Sequence, residues 1–275
     1  MTRTPAELHT AITFKNFLSV SQIVESGTNM DKLWRGNTAI SCAVYKRAYG
    51  ILDYLVRKGA NVNIRTRDDR MEPPLFAACR LGQLEAIKIL LKSTNVDVNQ
   101  RDFFNHTPLW AAARINSYEI VELLLNNGAD ICAAQRLVEC PLIVALIRRY
   151  TSVAHLLIRR GYRVDIDFDS AELHRKPLYI TVQHADLETF VLLINAGCQI
   201  KKAEWLSPNQ LPHDWKNDKK LCKWIDTLQN TPRTLLTLTS CSIRQILVKC
   251  HKNIFSEHVG ELPIPKELIK LILLV

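Results

Sequence analysis

One phrase recurs six times along this chain, about every 33 residues. Its most complete copy, residues 102–132, reads D-F-F-N-H-T-P-L-W-A-A-A-R-I-N-S-Y-E-I-V-E-L-L-L-N-N-G-A-D-I-C. The residue after the Pro-Leu pair, or its equivalent, falls at His9, Ser41, Phe76, Trp110, Ile143 and Tyr179. These are steps of 32, 35, 34, 33 and 36 residues. Glycine follows 18 residues later at Gly27, Gly59, Gly128, Gly161 and Gly197, whereas the third copy carries Thr94. A period of this length predicts units that cannot bury an apolar face alone and gain stability only by stacking. Such a stack offers one long surface, so recognition of another macromolecule is the leading expectation.

The phrase predicts its own fold. Thr107 is suited to cap a helix whose first N–H groups lack partners, and Pro108 fits the first helical position, where its missing N–H is harmless. Ala111, Ala112 and Ala113 let neighbouring helices approach closely. Ile120, Val121, Leu123, Leu124 and Leu125 form an apolar stripe of helical spacing. Gly128 then supplies a left-handed helix end. The unit resembles the ankyrin repeat, whose signature includes T-P-L-H-x-A, over about residues 4–200. Copies lie near 4–31, 32–63, 66–99, 102–132, 135–165 and 171–201. The first lacks the T-P-L core and reads as an atypical cap. The third (Pro73-Pro74-Leu75), fifth (Cys140-Pro141-Leu142) and sixth (Lys176-Pro177-Leu178) lack the Thr, which predicts slightly frayed first helices.

After Gly197 the period fails. Residues 201–230 read as a connector or truncated capping repeat, with Trp205, Trp215 and Trp224 available to cover the last repeat. From Thr231 the pattern changes again. Leu235, Leu238, Ser242 or Ile243, and Ile246 fall near one face of a helix. Leu262-Pro263-Ile264-Pro265 must be extended, and Lys266 to Leu274 can form a last helix. About 45 such residues are hardly stable alone, which calls for a partner to cover them.

This tail, residues 231–275, resembles a SOCS box, and the chain as a whole resembles the ankyrin repeat and SOCS box family. The resemblance rests on Pro232, Arg233, Thr234, Leu235, Leu238, Thr239, Ile243 and Arg244, and on the Leu262–Pro265 element. It implies an all-α fold: an ankyrin-repeat solenoid of about six repeats followed by a small helical box. It further implies that Leu235, Leu238, Thr239 and Ile243 bind elongin C, and that Leu262, Pro263, Ile264 and Pro265 bind the cullin. The implied partners are elongin B and C, Cullin-5 with its RING subunit, and a protein substrate. The implied function is a non-catalytic adaptor that presents that substrate for ubiquitination. Two departures stand out: Thr239 replaces the usual cysteine, and Leu271 stands where many members carry Tyr. A Thr hydroxyl buried without a partner costs roughly 1–3 kcal/mol. The competing expectation is therefore an ankyrin scaffold that binds a partner without assembling a ligase.

Candidate substrate-binding residues are Phe103, Phe104, Trp110 and Arg114. Two adjacent aromatics in a polar turn are expensive to leave in water unless they anchor an interface; the alternative is packing of Phe104 or Trp110 between repeats. A second candidate turn, Arg65 to Arg70, reads more readily as a solvated loop. The net charge of +9 is dispersed, +4 through residue 200 (24 basic against 20 acidic residues) and +5 beyond (12 against 7). That is not the basic stripe nucleic acid requires. No run approaches a membrane span, and the N-terminus lacks a signal core, so a cytoplasmic location is expected, with the nucleus also open. The eight cysteines include no C-x-x-C pair, and Cys241, Cys250, His251 and His258 match no zinc spacing. Neither metal nor cofactor is expected. No G-x-S-x-G, phosphate loop or H-E-x-x-H motif suggests an enzyme.

Overall fold

The computed structural model describes residues 4–131, 140–162, 176–198, 206 and 210–230. Every regular element among them is helical, and the helices come in pairs. Two compact units divide the chain, Met1–Ala129 and Asp130–Val275.

The first unit holds four helix pairs: α1 (Pro5–Thr13) with α2 (Phe17–Glu25), α3 (Ala39–Tyr45) with α4 (Tyr49–Arg57), α5 (Pro74–Arg80) with α6 (Leu84–Leu90), and α7 (Pro108–Arg114) with α8 (Tyr118–Asn126). First helices pack in a row, α1 on α3 on α5 on α7, and α2, α4 and α6 form a second row. Small residues make the first row possible. Ala39, Ala43, Ala77, Ala78, Ala111, Ala112 and Ala113 are all buried, so the helices meet closely with few voids. Thr4, Thr38 and Thr107 each cap a first helix by accepting the N–H three residues on, from Glu7, Ser41 and Trp110. The first copy thus begins with the same cap as its neighbours, and differs in a longer, nine-residue first helix and in leaving Phe14, Phe17 and Leu18 exposed.

The fraying predicted for the capless copies does not occur. First helices α3, α5 and α7 each have seven residues, and so do their counterparts α9 and α11 in the second unit. Proline at the first position removes one of the donors that a cap would satisfy, and burial of the helix fixes its length. At α9 the thiol of Cys140 takes the place of Thr, accepting from Ile143 N–H at 3.4 Å. The lost glycine of the third copy matters more. Helix α6 has seven residues where α2, α4 and α8 have nine. Without a left-handed residue such as Gly128, at φ +86°, its end tightens into i→i−3 bonds, Lys92 N–H to Ile89 O and Ser93 N–H to Leu90 O.

Each turn between paired helices also needs one left-handed residue, at Lys15, Arg47, Gly82, Asn116, Arg149 and Ala185, with φ between 52° and 65°. Polar side chains stitch successive repeats of the first unit. Asp31 accepts from Asn61 N–H, Asn63 accepts from Asp97 N–H and donates to Asn95 O, and Asn99 donates to Gly128 O.

The second unit contains α9 (Pro141–Ile147) with α10 (Thr151–Arg159), α11 (Pro177–Gln183) with α12 (Leu187–Asn195), then α13 (His213–Asn217) and α14 (Lys219–Asn230). Phe190, fully buried on α12, meets Trp215 and Trp224 edge to face at 5.3 and 6.4 Å. Two of the three connector tryptophans therefore pack on the last helix pair; Trp205 lies outside the described residues. Thr189 donates to Asp186 at the start of its own helix (2.7 Å) and joins α12 to α10 by meeting His155 Nε2 at 2.8 Å.

Burial of His9 gives the first unit a pH dependence. Its ring is 6% exposed, with Nε2 buried and unpartnered. Burial lowers its pKa below the ordinary 6.5. The unfolded chain then binds the proton more readily, so the contribution of neutral His9 to stability is full above pH 6.5 and is lost as pH falls below it. The urea midpoint is expected to drop between pH 7.5 and 5.5, and His9→Gln should flatten that slope. An unchanged slope would show that His9 does not carry it.

Candidate functional site

Three turns precede α3, α5 and α7, and each is closed by its own backbone. Trp34 and Asn37 exchange two N–H···O bonds of 2.8 and 3.0 Å. Thr66 N–H reaches Glu72 O at 3.0 Å, and Asp102 N–H reaches His106 O at 3.1 Å. The turns are also tied to one another: Arg67 N–H donates to Gly36 O (2.7 Å), and Phe103 N–H donates to Arg70 O (3.0 Å). Gly36 sits at φ +79°, and a Cβ there would meet Arg67 O at 3.1 Å, so this approach needs glycine. The result is a rigid ledge of turn tips.

On that ledge Phe103 and Phe104 are 63% and 57% exposed. Their rings touch edge to face at 5.4 Å, leaving both accessible to solvent. The ordering comes from beneath. Asp102 Oδ1 accepts His106 N–H at 2.8 Å, and Asn105 takes the left-handed φ of +68° that turns the chain. The His106 ring stacks on Trp110 at 3.6 Å and 13°, and the Arg114 guanidinium lies over the Trp110 ring, 5.3 Å from its centroid. Residues 102, 106, 110 and 114 thus form a column of carboxylate, imidazole, indole and guanidinium. Trp110 is half-buried within its own repeat, and Phe104 is on the surface. The four candidate residues therefore share one repeat, with Phe103 and Phe104 at its tip and Trp110 and Arg114 along the first helix.

The turn at 65–70 is more than a solvated loop. Arg67 to Met71 are exposed, yet Glu72 beneath them is 1% exposed. Arg80 grips Glu72 with a two-pronged bond, Nε to Oε1 at 2.8 Å and NH2 to Oε2 at 2.9 Å. Tyr45 donates to Glu72 Oε2 at 3.0 Å. Burial followed by the Glu72 charge raises the Tyr45 hydroxyl, keeping it a donor. Burial alone would lower Arg80, but its bonds to Glu72 outweigh that and raise it. Burial likewise pushes Asp68 up, and the Thr66 hydroxyl with the Arg70 and Met71 N–H groups outweighs it, holding Asp68 below its ordinary value. Sequence spacing missed this cluster because Glu72 and Arg80 are eight residues apart, across a turn and not along one helix.

Residues 65–135 match the family model for three copies of the ankyrin repeat, and residues 35–67 match that for a single ankyrin repeat. Residues 35–135 are ankyrin repeats. Among curated proteins, the human transient receptor potential cation channel subfamily A member 1 is 29% identical over 177 residues, 62% of this chain and 15% of the channel. Alpha-latrocrustotoxin-Lt1a of Latrodectus tredecimguttatus is 43% identical over 56 residues, 20% of this chain and 4% of the toxin. The chain thus spans only a small part of either relative. Among solved structures, the ankyrin repeat domain of Bcl-3, of the IkappaB protein family, aligns with a TM-score of 0.62 at 24% identity, covering 70% of this chain and 86% of that one. An ankyrin repeat domain from Acinetobacter baumannii AYE aligns at 0.62 and 23%, covering 69% and 97%. These likenesses establish the fold.

The elongin C residues Leu235, Leu238, Thr239 and Ile243, and the cullin residues Leu262 to Pro265, lie outside the described residues, as do Cys132, Cys241 and Cys250. Among the described residues no cluster could hold a metal ion, and no helix is long and apolar enough to cross a membrane.

Proposed function

We propose that the chain is a non-catalytic recognition subunit that holds a protein partner on the ledge around Phe103, Phe104, Trp110 and Arg114. The observation that carries this reading is the pair of adjacent phenylalanines held out in solvent by an ordered turn. Exposed aromatics fixed in place contribute contact area at little entropic cost, which is how interface anchors act.

The sequence of residues 231–275 supports a finer reading, in which the partner is a substrate presented to a ubiquitin ligase. Pro232 to Arg244 and Leu262 to Pro265 follow the order of a SOCS box, and elongin B and C with Cullin-5 and its RING subunit would dock there. Tethering a substrate beside the ligase core raises the effective concentration of its lysines without any catalytic residue in this chain. The full chain mixed with purified elongin B and C is expected to co-elute as one complex in size-exclusion chromatography, and Leu235→Asp is expected to abolish it. Separate elution of the wild-type chain would leave the scaffold reading, in which the ledge binds a partner and no ligase assembles.

A further inference from the structure

Consecutive repeats of the first unit offer an internal comparison. Offset by 34 residues, Asp68 corresponds to Asp102, Glu72 to His106, Phe76 to Trp110 and Arg80 to Arg114. The backbones agree: Met71 and Asn105, also 34 apart, both take left-handed φ, and α5 and α7 each run seven residues. The arginines end in opposite circumstances. Arg80 is neutralised by the two-pronged bond to Glu72. At the Glu72 position the next repeat carries His106, whose ring turns to stack on Trp110. Arg114 keeps its place over the indole, but its Nε is buried without an acceptor, and among the described residues no carboxylate pairs with it.

A buried guanidinium N–H without an acceptor is unfavourable, and a two-pronged carboxylate is the group that best satisfies it. Glu72 shows the side-chain carboxylate that this repeat geometry accepts. The exposed Phe103 and Phe104 belong to the same repeat. We infer that Arg114 receives an Asp or Glu side chain of the protein partner, from an internal segment that also places an apolar side chain against Phe103 and Phe104. The inference rests on the protein-binding reading above and specifies the chemistry of the partner. Trp110 contributes as a flat support that fixes the guanidinium, so the fork is presented already oriented.

The test uses a library of random twelve-residue peptides displayed with both ends fused, so that no free terminal carboxylate is offered, panned on the full chain. Peptides recovered by the wild type are expected to be enriched in Asp or Glu near an aromatic or aliphatic residue. Arg114→Gln should return the acidic content to library level and weaken an individual recovered peptide by about tenfold or more. His106→Glu restores the carboxylate that Glu72 supplies one repeat earlier; it should abolish the acidic preference equally while leaving the urea midpoint unchanged or higher. That variant separates loss of recognition from loss of fold. Acidic enrichment that is absent, or that persists in both variants, overturns the inference. Recovery of non-acidic peptides that depend on Phe103 and Phe104 overturns it while leaving the protein-binding reading intact. Recovery of no specific peptide by the wild type counts against both.

Discussion

Arg80→Met is expected to lower the unfolding free energy of the first unit by about 3–5 kcal/mol, read from urea melts of the full chain. Glu72 is 1% exposed and Arg80 holds both oxygens of its carboxylate. Removing the guanidinium leaves that buried charge without its main partner. Tyr45 would remain, and Arg70 stands at 3.5 Å, but its side chain is 55% exposed and makes only a single long contact. Neither group replaces a two-pronged bond. The penalty comes from the uncompensated carboxylate and not from lost packing, so removing the charge as well should reverse it. The double variant Arg80→Met with Glu72→Gln is therefore expected to recover more than half of the loss. A single-variant loss below about 1 kcal/mol, or a double variant no better than the single, would refute the assignment.

Phe190→Ala is expected to cost about 3–5 kcal/mol in the second unit, the range for removing a fully buried aromatic. Phe190 is 0% exposed and meets Trp215 and Trp224 on the helices that follow α12. Truncation leaves a cavity where three rings met, and two of those rings report on it directly. Stacked repeats hold mainly to their neighbours, so a defect there should loosen α13 and α14 before the rest. Tryptophan emission should shift to the red at urea concentrations where the helical circular dichroism is still largely intact. A coincident transition with an unchanged midpoint would show that the tryptophans do not depend on Phe190.

Much of this architecture was legible because each element was specified by local chemistry. The 32- to 36-residue steps, the Thr107-Pro108 start and the glycine ends are properties of short segments, and they recur. What was missed depended on packing or on distance along the chain. The Thr-less helices kept their full seven residues because burial, not the cap, sets their length. The left-handed turns at Lys15, Arg47, Arg149 and Ala185 carried no signal, since these residues have no intrinsic preference for that conformation. Within the candidate site, the unusual Phe103-Phe104 pair was visible as a departure from a polar turn. The state of Arg114 was not. Its unpartnered Nε gains meaning only when repeats are superimposed and Glu72 is seen to be replaced by His106.

Affinity capture from cell extract with the 275-residue chain, quantified beside a Phe103→Ser/Phe104→Ser/Trp110→Ala variant shown to have the same helical content, tests the central claim most directly. Loss of the specific protein partners from the variant is the predicted result. Retention of every one of them would contradict the assignment of this ledge as the recognition surface.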